Sequence, residues 1–308
     1  MSTMVLMINL TSSSVAFAAP TSFDVVDLGA KGRYLLNEVL FTGECKGRVT
    51  FKIDGTLVAP SDYHILGTSG KWITFNKVQG VSISGGILDG QGAGLWACKA
   101  AGKNCPFGAR SLEFTYSSEI TITGLTSMNS QIFHIVIHDC KNVKLQQVQV
   151  TASGNSPNTD GIHVQGSTDV TITQANIKTG DDCISIGPGT TNLWMENTNC
   201  GPGHGIRLGK AANEQGVQNV TVKTATFSGS ENGVRIKTWA RPSTGYVKGR
   251  LAGSQVAMKF DCSPKAPCSS IVLDNVDLTY ESKSASSSCI NADGSAFGLV
   301  HPSSCLAA

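Results

Sequence analysis

The chain has 308 residues, a formal net charge of +2, 15% charged residues and 6% aromatic residues. So sparse and scattered a charge excludes coiled coils, charged tails and an electrostatic surface for nucleic acid or anionic membrane. Thirty-four glycines suit many short strands and turns better than long helices.

In chain order the first element is a leader. The apolar run Val5-Leu6-Met7-Ile8 is followed by small residues ending Val15-Ala16-Phe17-Ala18-Ala19-Pro20, with alanine at both positions that a cut after Ala18 requires. Residues 1–18 therefore read as a secretory leader and 19–308 as one domain, exported and expected to be monomeric. No later apolar run approaches membrane-spanning length.

From Val81 onward one alternating strand recurs: Val81-Ser82-Ile83, Ile120-Thr121-Ile122, Val143-Lys144-Leu145, Val170-Thr171-Ile172, Leu193-Trp194-Met195, Val220-Thr221-Val222 and Ile271-Val272-Leu273. Most intervals are 23 or 27 residues, bounded by Gly, Asn, Ser or Thr, with no helical period between them. About halfway through each interval lies a second strand, at Ile135-Val136-Ile137, Ile162-His163-Val164, Ile184-Ser185-Ile186, Ile206-Arg207-Leu208 and Val234-Arg235-Ile236. One such repeat cannot bury its own apolar face, so the repeats must stack, which predicts an all-β fold, a parallel β-helix. A β-sandwich would instead show hairpin turns at regular 8–12-residue spacing.

Setting Ile162, Ile184, Ile206 and Val234 in register puts Asp160, Asp182, His204 and Asn232 in one stack, two residues before each anchor. Neighbouring strands lie about 4.8 Å apart, so these groups converge, and Asp181 joins them from the adjacent position. Arg235 and Lys237 project from the last of these strands onto the same face. Taken singly, Asp160 could be a turn residue and His204 a structural one. Like charges one rung apart repel and raise one another's pKa, which a structural protein avoids and an acid–base enzyme uses. Glycoside hydrolysis needs one carboxyl protonated and another ionised, and Arg235 with Lys237 would hold a sugar carboxylate. Asn142, Asn219 and Asn275 read as rungs of a structural asparagine ladder.

Ten cysteines without metal-ligand spacing predict disulfides, not a metal site. Cys262 with Cys268, and Cys289 with Cys305, are close enough in sequence to form two C-terminal staples.

Four segments, Asn158-Thr159-Asp160, Gly180-Asp181-Asp182, Gly203-His204-Gly205 and Arg235-Ile236-Lys237, occur in the order and approximate spacing of the polygalacturonases of glycoside hydrolase family 28. The resemblance extends from Phe23-Asp24-Val25-Val26 through Asp89-Gly90-Gln91-Gly92 and Trp96 to the C-terminal cysteines, and is similar to the plant pollen branch, many of whose members are exo-acting. It implies a right-handed parallel β-helix of the pectin-lyase type, inverting hydrolysis of α-1,4-galacturonosyl linkages in pectin or polygalacturonate, and a place in the cell wall. It implies Asp181 as general acid, Asp160 and Asp182 as the base pair that activates water, His204 as an assistant, and Arg235 and Lys237 as substrate ligands. A Cys183–Cys200 disulfide and the absence of any metal or other cofactor are implied as well.

Three departures from the family pattern stand out. Gly32 runs straight into Arg33-Tyr34-Leu35-Leu36 where the family has an Asp-rich turn and a capping helix, which leaves Cys45 without its upstream partner. After Gly249, further rungs that carry a substrate-contacting tyrosine have no counterpart. Arg207 falls in register between Ser185 and Arg235, inside the acidic stack, in a shortened Gly205-Ile206-Arg207-Leu208-Gly209 segment. A spliced or degenerate, inactive pectin-binding relative and a Ca²⁺-dependent pectate lyase are the alternative readings.

Overall fold

A computed structural model describes residues 21–24, 32–43, 47–210, 216–238, 248–249, 256–261, 264, 268–277, 279–280 and 283–307. Side chains are included except at 21–24, 210, 236–238, 248–249, 256–258, 261, 268–277, 279–280 and 283–284. The expected leader at 1–18, Cys45 and Cys262 lie outside the described residues, as do the side chains of Lys237, Cys268 and Asn275.

The recurring strands alternate buried and solvent-facing residues, so each offers one apolar edge that only a neighbouring turn of the coil can cover. They do so in parallel and in register, Ile120 beside Val143, Val170, Leu193 and Val220 in succession. The second set stacks the same way, with Ile135, Ile162, Ile184, Ile206 and Val234 aligned over five turns. The result is a right-handed parallel β-helix. A third face, which alternation did not expose, is built from strands of three residues: Thr126–Met128, Gln149–Thr151 and Asn176–Lys178. Three residues are too few for a period of two to show in sequence.

Inside the coil the aligned residues form apolar columns. Ile135, Ile162, Ile184 and Ile206 are fully buried, and each contributes roughly 1.5–3 kcal/mol by leaving water. Phe41, Phe75 and Phe114 stack at 4.7 and 4.6 Å between ring centres, so the column turns aromatic toward the N-terminal end.

The corners of the coil need a left-handed backbone. Glu119, Asn142, Asp169, Asn192 and Asn219, one per turn, have φ of 55°, 56°, 57°, 55° and 51°. Asn and Asp tolerate that conformation best. Their side chains also pair along the corner: Asn219 donates to Asn192 at 2.7 Å, and Asn192 donates to Asp169 at 2.9 Å.

Two helices, Tyr63–Gly67 and Ala93–Ala100, lie outside the coil near its N-terminal end. The second is tied to its following loop by a Cys98–Cys105 disulfide, with an S–S distance of 1.96 Å, which sequence spacing had not suggested. At the other end the strand Val234–Thr238 pairs directly with Val256–Asp261, setting Arg235 beside Lys259, and Cys289 is bonded to Cys305. Cys140 is buried and unbridged, with its thiol pushed up to about 11 by burial.

Candidate active site

The strands Ile162–Gln165, Ile184–Ile186, Ile206–Lys210 and Val234–Thr238 lie side by side on one face, and the turn entering each carries a polar residue at the same register. Asp160, Asp182, His204 and Asn232 therefore line up along the coil axis, because each sits two residues before an aligned anchor. Backbone bonds lock the turns together: the amide of Gly161 donates to the carbonyl of Asp182 at 2.9 Å, and that of His204 to the carbonyl of Asp181 at 2.8 Å. Hydroxyls beneath the acids do the same, with Oγ1 of Thr159 and Oγ1 of Thr179 at 2.7 Å.

His204 is held by the two glycines beside it. Gly203 and Gly205 have φ of +144° and +92°, and a Cβ on Gly205 would lie 2.2 Å from the carbonyl oxygen of Asn232. Any other residue would push adjacent turns apart, so the two glycines of the Gly-His-Gly segment are a packing requirement.

The acids differ in exposure. The side chains of Asp160 and Asp182 are 3% and 1% exposed, whereas that of Asp181 is 22% exposed and opens onto the groove. Oδ1 of Asp181 accepts from the amide of Asp182 at 2.8 Å and lies 3.1 Å from Nδ1 of His204. Nε2 of His204 faces Oε1 of Glu231 at 3.6 Å. Glu231 was not singled out from sequence, although it occupies the position three before Val234 that Asp181 occupies before Ile184.

Burial pushes the carboxyl of Asp160 up to about 8, reinforced by the charges of Asp182 and Asp181, with Ser185 and Arg207 pulling the other way. Asp182 is likewise raised by burial, opposed first by Arg207. The guanidinium of Arg207 bonds Oδ2 of Asp182 through Nε, and its Nη2 is 3.9 Å from Oδ2 of Asp160. Two carboxyls are thus buried side by side, each with its hold on a proton strengthened, a pairing that acid–base chemistry uses.

Arg235 follows Arg207 in register, its strand backbone continuing through Lys237. His163 stacks on Phe133 at 5.2 Å between ring centres, bonds Oγ of Ser185 at 2.8 Å, and is lowered to about 4 by burial. An imidazole so shifted is neutral near pH 7. Asp181, Asp182 and His204 offer donor atoms within 4.8 Å of one another, the one group among the described residues with the spacing to ligate a cation. One of those atoms, Oδ1 of Asp181, is already engaged by a backbone amide and by His204. Beside the site, Cys183 and Cys200 are joined with an S–S distance of 2.02 Å, clamping the turn that follows Asp182 to the next rung.

Comparison with known proteins is consistent with this layout. A polygalacturonase of Prunus persica is 47% identical over 373 aligned positions, covering 94% of this chain and 95% of the relative. The alignment is longer than this chain's 308 residues, so the relative carries segments that have no counterpart here. An exopolygalacturonase of Platanus acerifolia is 47% identical, with 70% of this chain and 59% of the relative covered. Among solved structures, a polygalacturonase of Erwinia carotovora superposes with a TM-score of 0.69 at 22% identity, over 85% of this chain and 86% of that one, a likeness of fold. Residues 21–250 match the glycosyl hydrolases of family 28, and this chain belongs to that family.

Proposed function

We propose that the protein is a secreted polygalacturonase, a monomer acting on the pectin of the cell wall, that hydrolyses α-1,4-galacturonosyl linkages with inversion. The observation that carries this reading is the pair of buried, stacked carboxyl groups, Asp160 and Asp182, beside a third, Asp181, that opens onto the groove. Asp181, the exposed member, donates a proton to the leaving oxygen, and His204 restores it through the bond at Nδ1. Asp160 and Asp182 act as a pair on the attacking water and together take up one proton from it. Arg235 and Lys237 hold the carboxylate of the sugar, because a planar guanidinium fork matches a planar anion.

Donor atoms of Asp181 and Asp182 within 4.8 Å are closer than the roughly 6.5–9.5 Å usual between inverting carboxylates. The stereochemistry therefore calls for direct measurement. Proton NMR of fresh hydrolysate should show the β-anomer first; an α-anomer would overturn inversion. The reaction should release reducing ends without unsaturated, ultraviolet-absorbing ends, and binding without any turnover would select the inactive pectin-binding alternative.

Exo action is the finer reading. Thr74, Glu113 and Val136, which continue the row of His163, Ser185 and Arg207 toward the N-terminal end, are 2–4% exposed. Phe133 over His163 and Arg110 on Glu113, at 3.3 Å, leave little open floor there for sugar units. A groove shut on one side releases a short product from a chain end. Chromatography should show mono- or digalacturonate from the earliest time points, whereas a ladder of long oligomers would mean endo action.

A further inference from the structure

Asp182 is gripped on one side only. Its Oδ2 is bonded by Nε of Arg207, while its Oδ1 is buried with no hydrogen-bond partner. Oδ2 of Asp160, 3.9 Å from Nη2 of the same arginine, is also buried and without a hydrogen-bond partner. Buried carboxylate oxygens left bare are costly, and a water held by both would satisfy the two at once. Arg207 reaches this point from the strand after the one Asp182 leads into, in register between Ser185 and Arg235. Gly209 leaves it the room, since a Cβ there would stand 2.7 Å from Nη1.

We propose that Arg207 is a positioning residue for the hydrolytic step: by binding one oxygen of Asp182 it keeps that carboxylate ionised and turns the other oxygen toward the attacking water. The proposal rests on the hydrolase reading above. It assigns the two buried acids different duties, Asp182 accepting the proton and Asp160, farther from the guanidinium, carrying one.

The charged groups around Asp182 are Asp181 on its own turn, Asp160 from the preceding rung, and Arg207 and Arg235 from the following strands. His163 lies against the same row, and His204 with Glu231 stands beyond Asp181. Arg207 leads the influences that oppose burial at Asp182, and comes last among those acting on Asp160. Removing its charge leaves burial and the neighbouring acids unopposed, so Asp182 would hold its proton to higher pH.

The test compares Arg207→Gln with Arg207→Lys on polygalacturonate across pH, with a thermal melt to show that each variant is folded. In Arg207→Gln the rising limb of the kcat profile should move up by about 1 to 3 pH units, and kcat at a pH on that limb should fall about ten-fold per unit. KM should stay within about two-fold, and Arg207→Lys should restore the limb toward its original pH. A limb that stays put, or a KM that rises while kcat holds, would overturn the proposal. Carbon NMR titration of the Asp182 carboxyl, assigned with Asp182→Asn and run without substrate, gives a reading independent of turnover. An unmoved titration in Arg207→Gln, or in Arg207→Met if the glutamine variant does not fold, defeats the proposal outright. A moved titration in a protein that never releases reducing ends would defeat the hydrolase reading instead and leave the ion pair standing.

Discussion

Along one corner of the coil, Asp169, Asn192 and Asn219 stack one per turn, exposed to water and joined by amide hydrogen bonds of 2.9 and 2.7 Å. At the groove, Asp160 and Asp182 stack with the same one-turn separation, but buried, each with an oxygen that has no hydrogen-bond partner. The parallel register is identical, and so is the spacing that brings like side chains together. What differs is solvent and pairing. Amides donate and accept along a column and stabilise it, whereas two carboxylates can only accept, so one must take a proton or borrow a cation. The first column holds the coil together; the second stores unsatisfied polarity where chemistry can use it.

The comparison can be broken most forcefully at the groove. Asp181→Asn keeps the shape of the side chain and removes its proton, so hydrolysis should fall by roughly 10²–10⁴-fold, as expected for losing a general acid. Reducing-end assays on folded protein check it, and retention of full activity would refute the assignment. Stability should move in the opposite direction at the neighbouring acid. Folded protein holds a proton on Asp160 up to about pH 8, while the unfolded chain releases it near pH 4, so rising pH through this window favours unfolding. Asp160→Asn removes that cost, and its Tm should exceed that of the parent by a margin that widens from pH 4 to pH 8 while activity drops. A margin that narrows over that range would mean Asp160 is ionised in the folded state. The smallest effect belongs to the corner. Asn192→Ala deletes one donated and one accepted hydrogen bond at a left-handed residue, and denaturant unfolding should show a loss of about 1–2 kcal/mol with kcat unchanged.

The row of candidate catalytic residues was readable before any coordinates because its alignment depends only on counting. Once Ile162, Ile184, Ile206 and Val234 are recognised as equivalent, the residues two and three positions earlier must share a face, whatever the exact path of the chain. The same count of three, carried two rungs beyond Asp181, would have reached Glu231. The third face escaped because its strands are three residues long, whereas the Cys98–Cys105 bond, with a separation of seven, was within reach of the same closeness argument used for the C-terminal pairs. Corner residues such as Lys77 and Tyr116, with φ of 56° and 50°, carry no left-handed preference of their own, so only the stacked neighbours reveal what the backbone does there.

The amino-acid order on its own therefore determined the repeat, the parallel register and the set of acids brought to one groove, since each follows from periodicity along a single chain. The folded molecule alone decided which of those acids are dry, which remains open to the groove, and that Arg207 bends back to Asp182. Burial and side-chain direction depend on what several turns place around a group at once, and no linear pattern encodes that enclosure.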